Sequence, residues 1–230
     1  VLNTGKEIEL DPKWNCEYYH KPELGLTESY LELIKLAKGE YSVFLEDDDK
    51  LIVSPIWEKI VMYDADLYLY NYFVNDETSY KFFPVNIWKD DFITNKEFLM
   101  SMHLSDSKSE FHLGQLVFRT SMAKKVELPK SDVIGMDEVF LYKLLTHQAK
   151  RVLTSSQPGL MATVHGDNLS WNNPENVVEN DKLHISFVLK DIIECVGQEQ
   201  AKIWADRLSE IYEEKLSSAR EELLSPKRIT

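Results

Sequence analysis

The stretch from Tyr41 to Leu51, Y-S-V-F-L-E-D-D-D-K-L, constrains this chain more than any other. An apolar strand, Tyr41 to Leu45, runs straight into four consecutive carboxylates, Glu46, Asp47, Asp48 and Asp49. Like charges this close repel one another unless a cation offsets them. In open α/β sheets, ligands bind at the carboxyl ends of strands. Hard oxygen ligands in such a place suit Mg²⁺ or Mn²⁺ carrying substrate phosphates. An EF-hand calcium loop is a poor alternative, because the required glycine and terminal glutamate are missing. An arbitrary acidic run is more often a solvated turn. The strand in front, and two further clusters downstream, shift the balance toward a site.

The rest of the pattern alternates strands and helices. Cys16 to His20 reads as a strand ended by Lys21-Pro22. Thr27 to Lys38 reads as a helix, with Tyr30, Leu33, Ile34 and Ala37 on one face and Gly39 as a left-handed cap. A helix from about Ser54 to Met62 carries Pro55 in its first turn, and an aromatic strand follows from Asp66 to Phe73. Thr94 and Glu97 fit a capping box for a helix to about Met102, and Leu104 to Glu110 is a polar loop. Gly114 to Arg119 reads as a strand, and Gly135-Met136-Asp137-Glu138 opens a helix through His147. Arg151–Thr154 and Leu160–Val164 read as two short strands. Residues 181–224 carry helical patterns broken at Gly197, with Trp204, Leu208, Ile211 and Tyr212 on an apolar stripe.

Composition bounds the function. With 43% hydrophobic and 28% charged residues over 230 positions, a disordered or low-complexity chain is excluded. Lys+Arg 26 against Asp+Glu 39 gives a formal charge of −13, which argues against a general binder of nucleic acid or anionic membrane. Lys124-Lys125, Lys130, Lys150-Arg151 and Lys227-Arg228 could supply a local basic patch, but scattered surface charge is the commoner reading of such pairs. No apolar run approaches the roughly 20 residues of a membrane span, and no signal-like start is visible. Cys16 and Cys195 lack metal spacing and read as reduced thiols, so the expected location is cytoplasmic.

The second chemistry-bearing cluster is Asp137-Glu138 at a helix start. A carboxylate there is often a cap stabilised by free amides. It is also well placed to serve as a general base toward a hydroxyl. The third is H-G-D-N-L-S, His165 to Ser170, after a short strand. The other histidines, His20, His103, His112, His147 and His184, show no pairwise metal spacing and read as structural or surface residues.

In this order, A-K-G-E-Y-S-V-F-L-E-D-D-D, then G-M-D-E, then H-G-D-N-L-S, the chain resembles the family 2 nucleotide-sugar glycosyltransferases. The resemblance covers Val1 to about Ser170. It implies a GT-A (Rossmann-like) mixed sheet flanked by helices, here with a C-terminal helical appendage. The expected division is 1–172 for the GT-A domain, its first strand and helix absent from this chain, and 173–230 for the helical extension. It implies a DXD-type metal motif: Asp48 contacts a divalent metal (Mn²⁺ or Mg²⁺) and the diphosphate, with Asp47 and Glu46 toward the ribose or donor sugar. Asn3 and Thr4 stand near the nucleotide, His165 is a further metal ligand, and Asp137 is the catalytic base. The motif can also be read one place on, which makes Glu138 the second candidate. Trp88 or Phe111 can stack on a sugar, although core packing is the commoner role of such residues.

The implied reaction moves a sugar from a nucleoside diphosphate, a UDP-sugar for preference, to an acceptor hydroxyl with inversion. A glycan acceptor and a modified DNA base are both compatible, as is a homo-oligomer through the C-terminal helices. A nucleotidyltransferase is the rival enzyme, though no lysine- or arginine-rich glycine loop for a triphosphate is visible. A non-catalytic sugar- or nucleotide-binding module of the same fold is the rival outside enzymes.

Overall fold

The computed structural model describes residues 1–4, 6, 7, 9, 11, 13, 16–76, 81–85, 88–101, 112–129, 136–164 and 174–210. In chain order the elements are β1 (Leu2–Asn3), β2 (Tyr19–His20), α1 (Leu26–Leu36), β3 (Tyr41–Val43), β4 (Lys50–Leu51) and α2 (Val53–Met62). Next come β5 (Leu67–Asp76), β6 (Lys81–Val85), β7 (Asp91–Thr94), α3 (Asn95–Ser101) and a 3-10 turn at Leu113–Gln115. β8 (Leu116–Arg119), α4 (Thr120–Ala123), α5 (Met136–His147), β9 (Arg151–Val164) and α6 (Pro174–Val196) follow, then a helical segment at 198–210.

The seven-stranded sheet runs β3-β8-β5-β9-β4, with β6 also on β5 and β7 also on β9. β5 and β9 are parallel, and every other pair is antiparallel. β5 shows why both faces are covered. Its L-Y-L-Y start puts Leu67 and Leu69 on one face and Tyr68 and Tyr70 on the other, following the two-residue period of a strand. The leucine face packs against α1, α3, α5, α6 and the 198–210 helix. The tyrosine face packs against α2 through Ile56 and Ile60, and the Tyr70 hydroxyl donates to the Ile56 carbonyl at 3.2 Å. An α/β mixed sheet flanked by helices, with a helical C-terminal part, is therefore the architecture.

Two local expectations change. α1 stops at Leu36 and leaves through an extended Ala37, whose carbonyl accepts from Lys124 Nζ at 2.8 Å, so Gly39 is not the cap. The only described glycine with positive φ is Gly197, at the break between α6 and the next helix. The two short strands at 151–164 are one strand, because Ser156, Gln157 and Pro158 form an irregularity against β5 instead of ending the ladder. The capping box forms as read: Thr94 N–H donates to Glu97 Oε2 at 2.7 Å, and Glu97 N–H donates to Thr94 Oγ1 at 3.2 Å. The loop 104–110 and Phe111 lie outside the described residues.

The C-terminal helices join the main core. Trp204 and Leu208 are buried with Val188 and Ile192, and Trp204 stands edge-on to Tyr142 at 5.2 Å. Lys143 and His147 of α5 pair with Asp191 at 2.7 and 3.2 Å. Ile211 and Tyr212 lie outside the described residues.

Gly159 closes the irregularity in β9. A Cβ there would come within 2.7 and 2.8 Å of Tyr70 Cγ and Cβ, so the tyrosine has no room to give way. Its carbonyl also accepts the Ile52 N–H at 2.9 Å, just beyond β4. Gly159→Ala is expected to destabilise the fold by about 1–3 kcal/mol, the usual range for overpacking. Chemical denaturation reads it, and an unchanged midpoint would show that Tyr70 has a second position.

Candidate active site

The acidic turn is pinned at both ends. β3 and β4 lie at opposite ends of the strand path, so residues 44–49 must cross the end of the sheet. Four strand spacings amount to at most about 19 Å, and seven extended residues reach roughly 24 Å. The crossing has little slack. On the β3 side, Phe44 is buried between Tyr30, Phe118 and Phe140, with ring centroids at 5.2, 5.6 and 5.8 Å. On the β4 side, Asp49 Oδ1 accepts the Thr163 N–H at 3.0 Å, and the Asp48 carbonyl accepts the Thr163 hydroxyl at 2.8 Å.

His112 arrives at this turn through strand register. β8 is antiparallel to β3, with Val43 opposite Val117, so the residues before β8 run alongside those after β3. His112 caps the 3-10 turn, and its Nδ1 accepts the Gly114 N–H at 3.1 Å. Gly114 sits close under Leu160, since a Cβ would lie 3.0 and 3.1 Å from the Leu160 methyls. His112 Nε2 then stands 3.2 Å from Asp49 Oδ2.

Asp49 has its side chain 1% exposed, and Oδ2 has no hydrogen-bond partner among the described residues. Burial pushes both Asp49 and Glu46 above the usual carboxylate range, and the neighbouring charges of Asp47 and Asp48 add to it. His112 opposes the rise at both, and the Thr163 N–H opposes it at Asp49.

Glu46, Asp49 and His112 each bring a ligand atom within 4.8 Å of the others, a group that can hold a metal ion. The buried Oδ2, which His112 Nε2 approaches without a well-formed hydrogen bond, fits a hard cation. Glu46, exposed beside it, fits as a second oxygen ligand. His112 fits less well. The Gly114 N–H at Nδ1 leaves the ring proton on Nε2, whereas a ligating imidazole donates from its other nitrogen. In this tautomer His112 faces Asp49 as an orienting neighbour.

Asp137 and Glu138, both half-buried, open α5. The Asp137 carboxyl takes hydrogen bonds from the backbone N–H groups of Glu138 and of Asp137 itself. Burial nevertheless pushes it up to about 7, with the Glu138 and Glu46 charges adding to the rise. Tyr30 on α1 senses the same two places: burial, then Asp137 and Glu46, push its phenol up. Packing explains why these groups meet. Phe140, one turn into α5, is edge-on to both Phe44 and Phe118, which holds the helix start against the end of β3.

The other candidates fall as follows. Asp47 is exposed and Asp48 half-buried in the same turn. Asn3 ends β1, which pairs in parallel with β2 in a separate two-stranded sheet, and Thr4 is exposed just beyond. Lys21–Glu32 and Glu17–Lys38 ion pairs tie this part to α1 and the residues after it. Trp88 packs on Phe98 at 5.1 Å, a core role. Gly135 and His165 to Ser170 lie outside the described residues. Sequence reasoning passed over Asp49 as a ligand and set His112 aside, because spacing along the chain carries no trace of a contact made by antiparallel register.

No known family profile matches the sequence, and no curated protein matches it either. Among solved structures, residues 1–349 of S. aureus TarS, in complex with UDP-GlcNAc, superpose with a TM-score of 0.60 at 17% identity. The chain shares the fold of that structure. The match covers 94% of this chain and 61% of the TarS chain, so this chain spans less than two thirds of that neighbour. Among the described residues, no helix is long and apolar enough to cross a membrane.

Proposed function

We propose that this chain is a metal-dependent, inverting glycosyltransferase that moves a sugar from a UDP-sugar to an acceptor hydroxyl. One observation carries the reading: Glu46, Asp49 and His112 bring a ligand atom each within 4.8 Å of one another in an acidic turn at the end of the sheet, with the Asp49 side chain buried. The fold shared with TarS and the UDP-GlcNAc bound in that structure support it.

In this reading Glu46 and Asp49 hold a divalent ion, Mn²⁺ or Mg²⁺, with Asp48 beside them on the diphosphate side. When bound, the ion would offset negative charge on the leaving diphosphate. Asp47 faces the ribose or donor sugar, Asn3 and Thr4 the nucleotide, and His165 remains a candidate further ligand. Asp137 removes the proton of the acceptor hydroxyl as its oxygen attacks the anomeric carbon, and the carbon–oxygen bond to the diphosphate breaks on the opposite side. A carboxyl near 7 is well poised for this near neutral pH. Glu138 raises Asp137 by its charge and is the second candidate base. Residues 1–172 form the catalytic domain and 173–230 the helical extension.

The test is a panel of nucleotide-sugars with Mn²⁺ or Mg²⁺, read by release of free nucleotide in the presence of hydroxyl acceptors. One UDP-sugar is expected to be consumed, and chelation by EDTA to stop it. No release from any donor, with either metal, would sink the reading.

A further inference from the structure

Thr163, the next-to-last residue of β9, holds the acidic turn at two points. Its N–H donates to Asp49 Oδ1 at 3.0 Å, and its hydroxyl donates to the Asp48 carbonyl at 2.8 Å. Strand register brings it there. β4 is antiparallel to β9 with Lys50 opposite Met161, so the residues before β4 run alongside those after Met161. The turn shows what the two bonds accomplish. The Asp49 N–H donates to the Glu46 carbonyl at 3.3 Å, which closes residues 46–49 as a β-turn. A β-turn keeps its first and last Cα atoms within about 7 Å. Glu46 and Asp49 are those two residues, and theirs are the carboxylates that converge with His112, while Asp47 and Asp48 form the tip.

Repulsion among four adjacent acids opposes this convergence, so the turn must be held closed from outside before an ion arrives. The hydroxyl bond fixes the peptide between Asp48 and Asp49, and so the direction in which Asp49 leaves the turn. The N–H bond holds Oδ1, which leaves Oδ2 as the oxygen beside His112. We propose that Thr163 is a positioning residue for the metal site, its hydroxyl setting the spacing of the Glu46 and Asp49 carboxylates and with it the ion they prefer. The assignment rests on the reading that this turn binds a divalent ion. Ion preference follows from geometry. Mg²⁺ needs near-ideal octahedral placement of short bonds, whereas Ca²⁺ takes roughly six to eight oxygens at longer distances in flexible sites. Carboxylates held at a fixed spacing suit the stricter ion, and released ones favour the larger.

Calorimetric titration of the full chain with MgCl₂, MnCl₂ or CaCl₂ alone tests it, using wild type, Thr163→Val, Thr163→Ala and Thr163→Ser. Valine and alanine lose the hydroxyl but keep the N–H that Asp49 uses, and valine also keeps the branched shape that strands favour. Both variants should bind Mg²⁺ and Mn²⁺ at least roughly tenfold more weakly, the usual loss when a metal ligand is deprived of its supporting partner. Affinity for Ca²⁺ should stay within about threefold, so the preference for Mg²⁺ over Ca²⁺ falls. Thr163→Ser restores the hydroxyl and should bind all three ions within about twofold of wild type. Equal losses for the three ions would overturn the proposal in favour of a general role in the fold. A loss in the serine variant as large as in valine would do the same. Unchanged affinities in valine and alanine, or unfolding of both, would overturn it as well. Wild type that binds none of the three ions would remove the metal reading itself, an outcome distinct from wild type that binds and variants that bind equally well.

Discussion

Asp137→Asn is expected to cut turnover by roughly two orders of magnitude or more while making the fold more stable above neutral pH. The two effects have one cause. Burial, with the Glu138 and Glu46 charges, raises the Asp137 carboxyl from 3.8 to about 7. Between those values the folded chain holds a proton that the unfolded chain has released, so stability falls as pH rises through this window. The deficit is complete above about 7 and amounts to ~2–4 kcal/mol once relaxation around the charge is allowed for. Asparagine cannot ionise, yet keeps an acceptor for the backbone N–H groups that Asp137 now engages. At pH 8 the variant should melt several degrees higher, at roughly 2–4 °C per kcal/mol for a chain of this size, and near pH 4 the two should converge. A melting difference that ignores pH would remove the burial argument. Wild-type kcat/KM should rise with pH and level off above about 7, as a base that must be ionised requires. The charged groups around this carboxyl are Glu138 on its own helix and Glu46 in the acidic turn, with Tyr30 on α1 beside it. Normal turnover in Asp137→Asn with loss in Glu138→Gln would move the base one residue on. Normal turnover in both would leave this helix start a cap.

Much of the scaffold was legible because local and tertiary demands agree in it. The apolar run of β3, Pro55 in α2, the Thr94–Glu97 box and the buried face of α5 each satisfy the period or cap that their element needs. The errors fall where a non-local contact decides. Gly39 looked like a helix cap, but Lys124, far along the chain, satisfies the Ala37 carbonyl instead. Arg151–Thr154 and Leu160–Val164 read as two strands, but Tyr70 and Ile56 pack over Gly159, and β5 carries the ladder past it. The site divides in the same way. Four adjacent acids after a strand are visible in any sequence. That Asp49 points inward, and that His112 meets it, depends on Val43 lying opposite Val117, a pairing that neither segment encodes alone.

Asp49→Asn is expected to erase the stabilisation that a divalent ion confers. Its Oδ1 partner, the Thr163 N–H, is kept by asparagine, while the ligating Oδ2 becomes an NH₂ that cannot bind a metal. Without added metal the variant should melt within a few degrees of the wild type, because relief of one of four crowded charges is offset by loss of the acceptor that faces His112 Nε2. With MnCl₂ at about a hundredfold excess over its dissociation constant, the wild type gains about 2.7 kcal/mol, or roughly 5–10 °C for a chain of this length. The variant should gain almost nothing, and turnover should fall with it. Two companion variants locate the ion. His112→Ala should weaken Mn²⁺ only several-fold, since the Gly114 N–H at Nδ1 keeps the proton on Nε2 and leaves His112 to orient Asp49. Loss as complete as in Asp49→Asn would put Nε2 on the metal and demand a proton shift that breaks the Gly114 contact. Asp48→Asn tests the neighbouring carboxylate, and a larger loss there than at Asp49 would move the ion one residue back along the turn. An equal Mn²⁺ shift in all three variants and the wild type would mean that this turn binds no ion, and that the buried Oδ2 answers to something else.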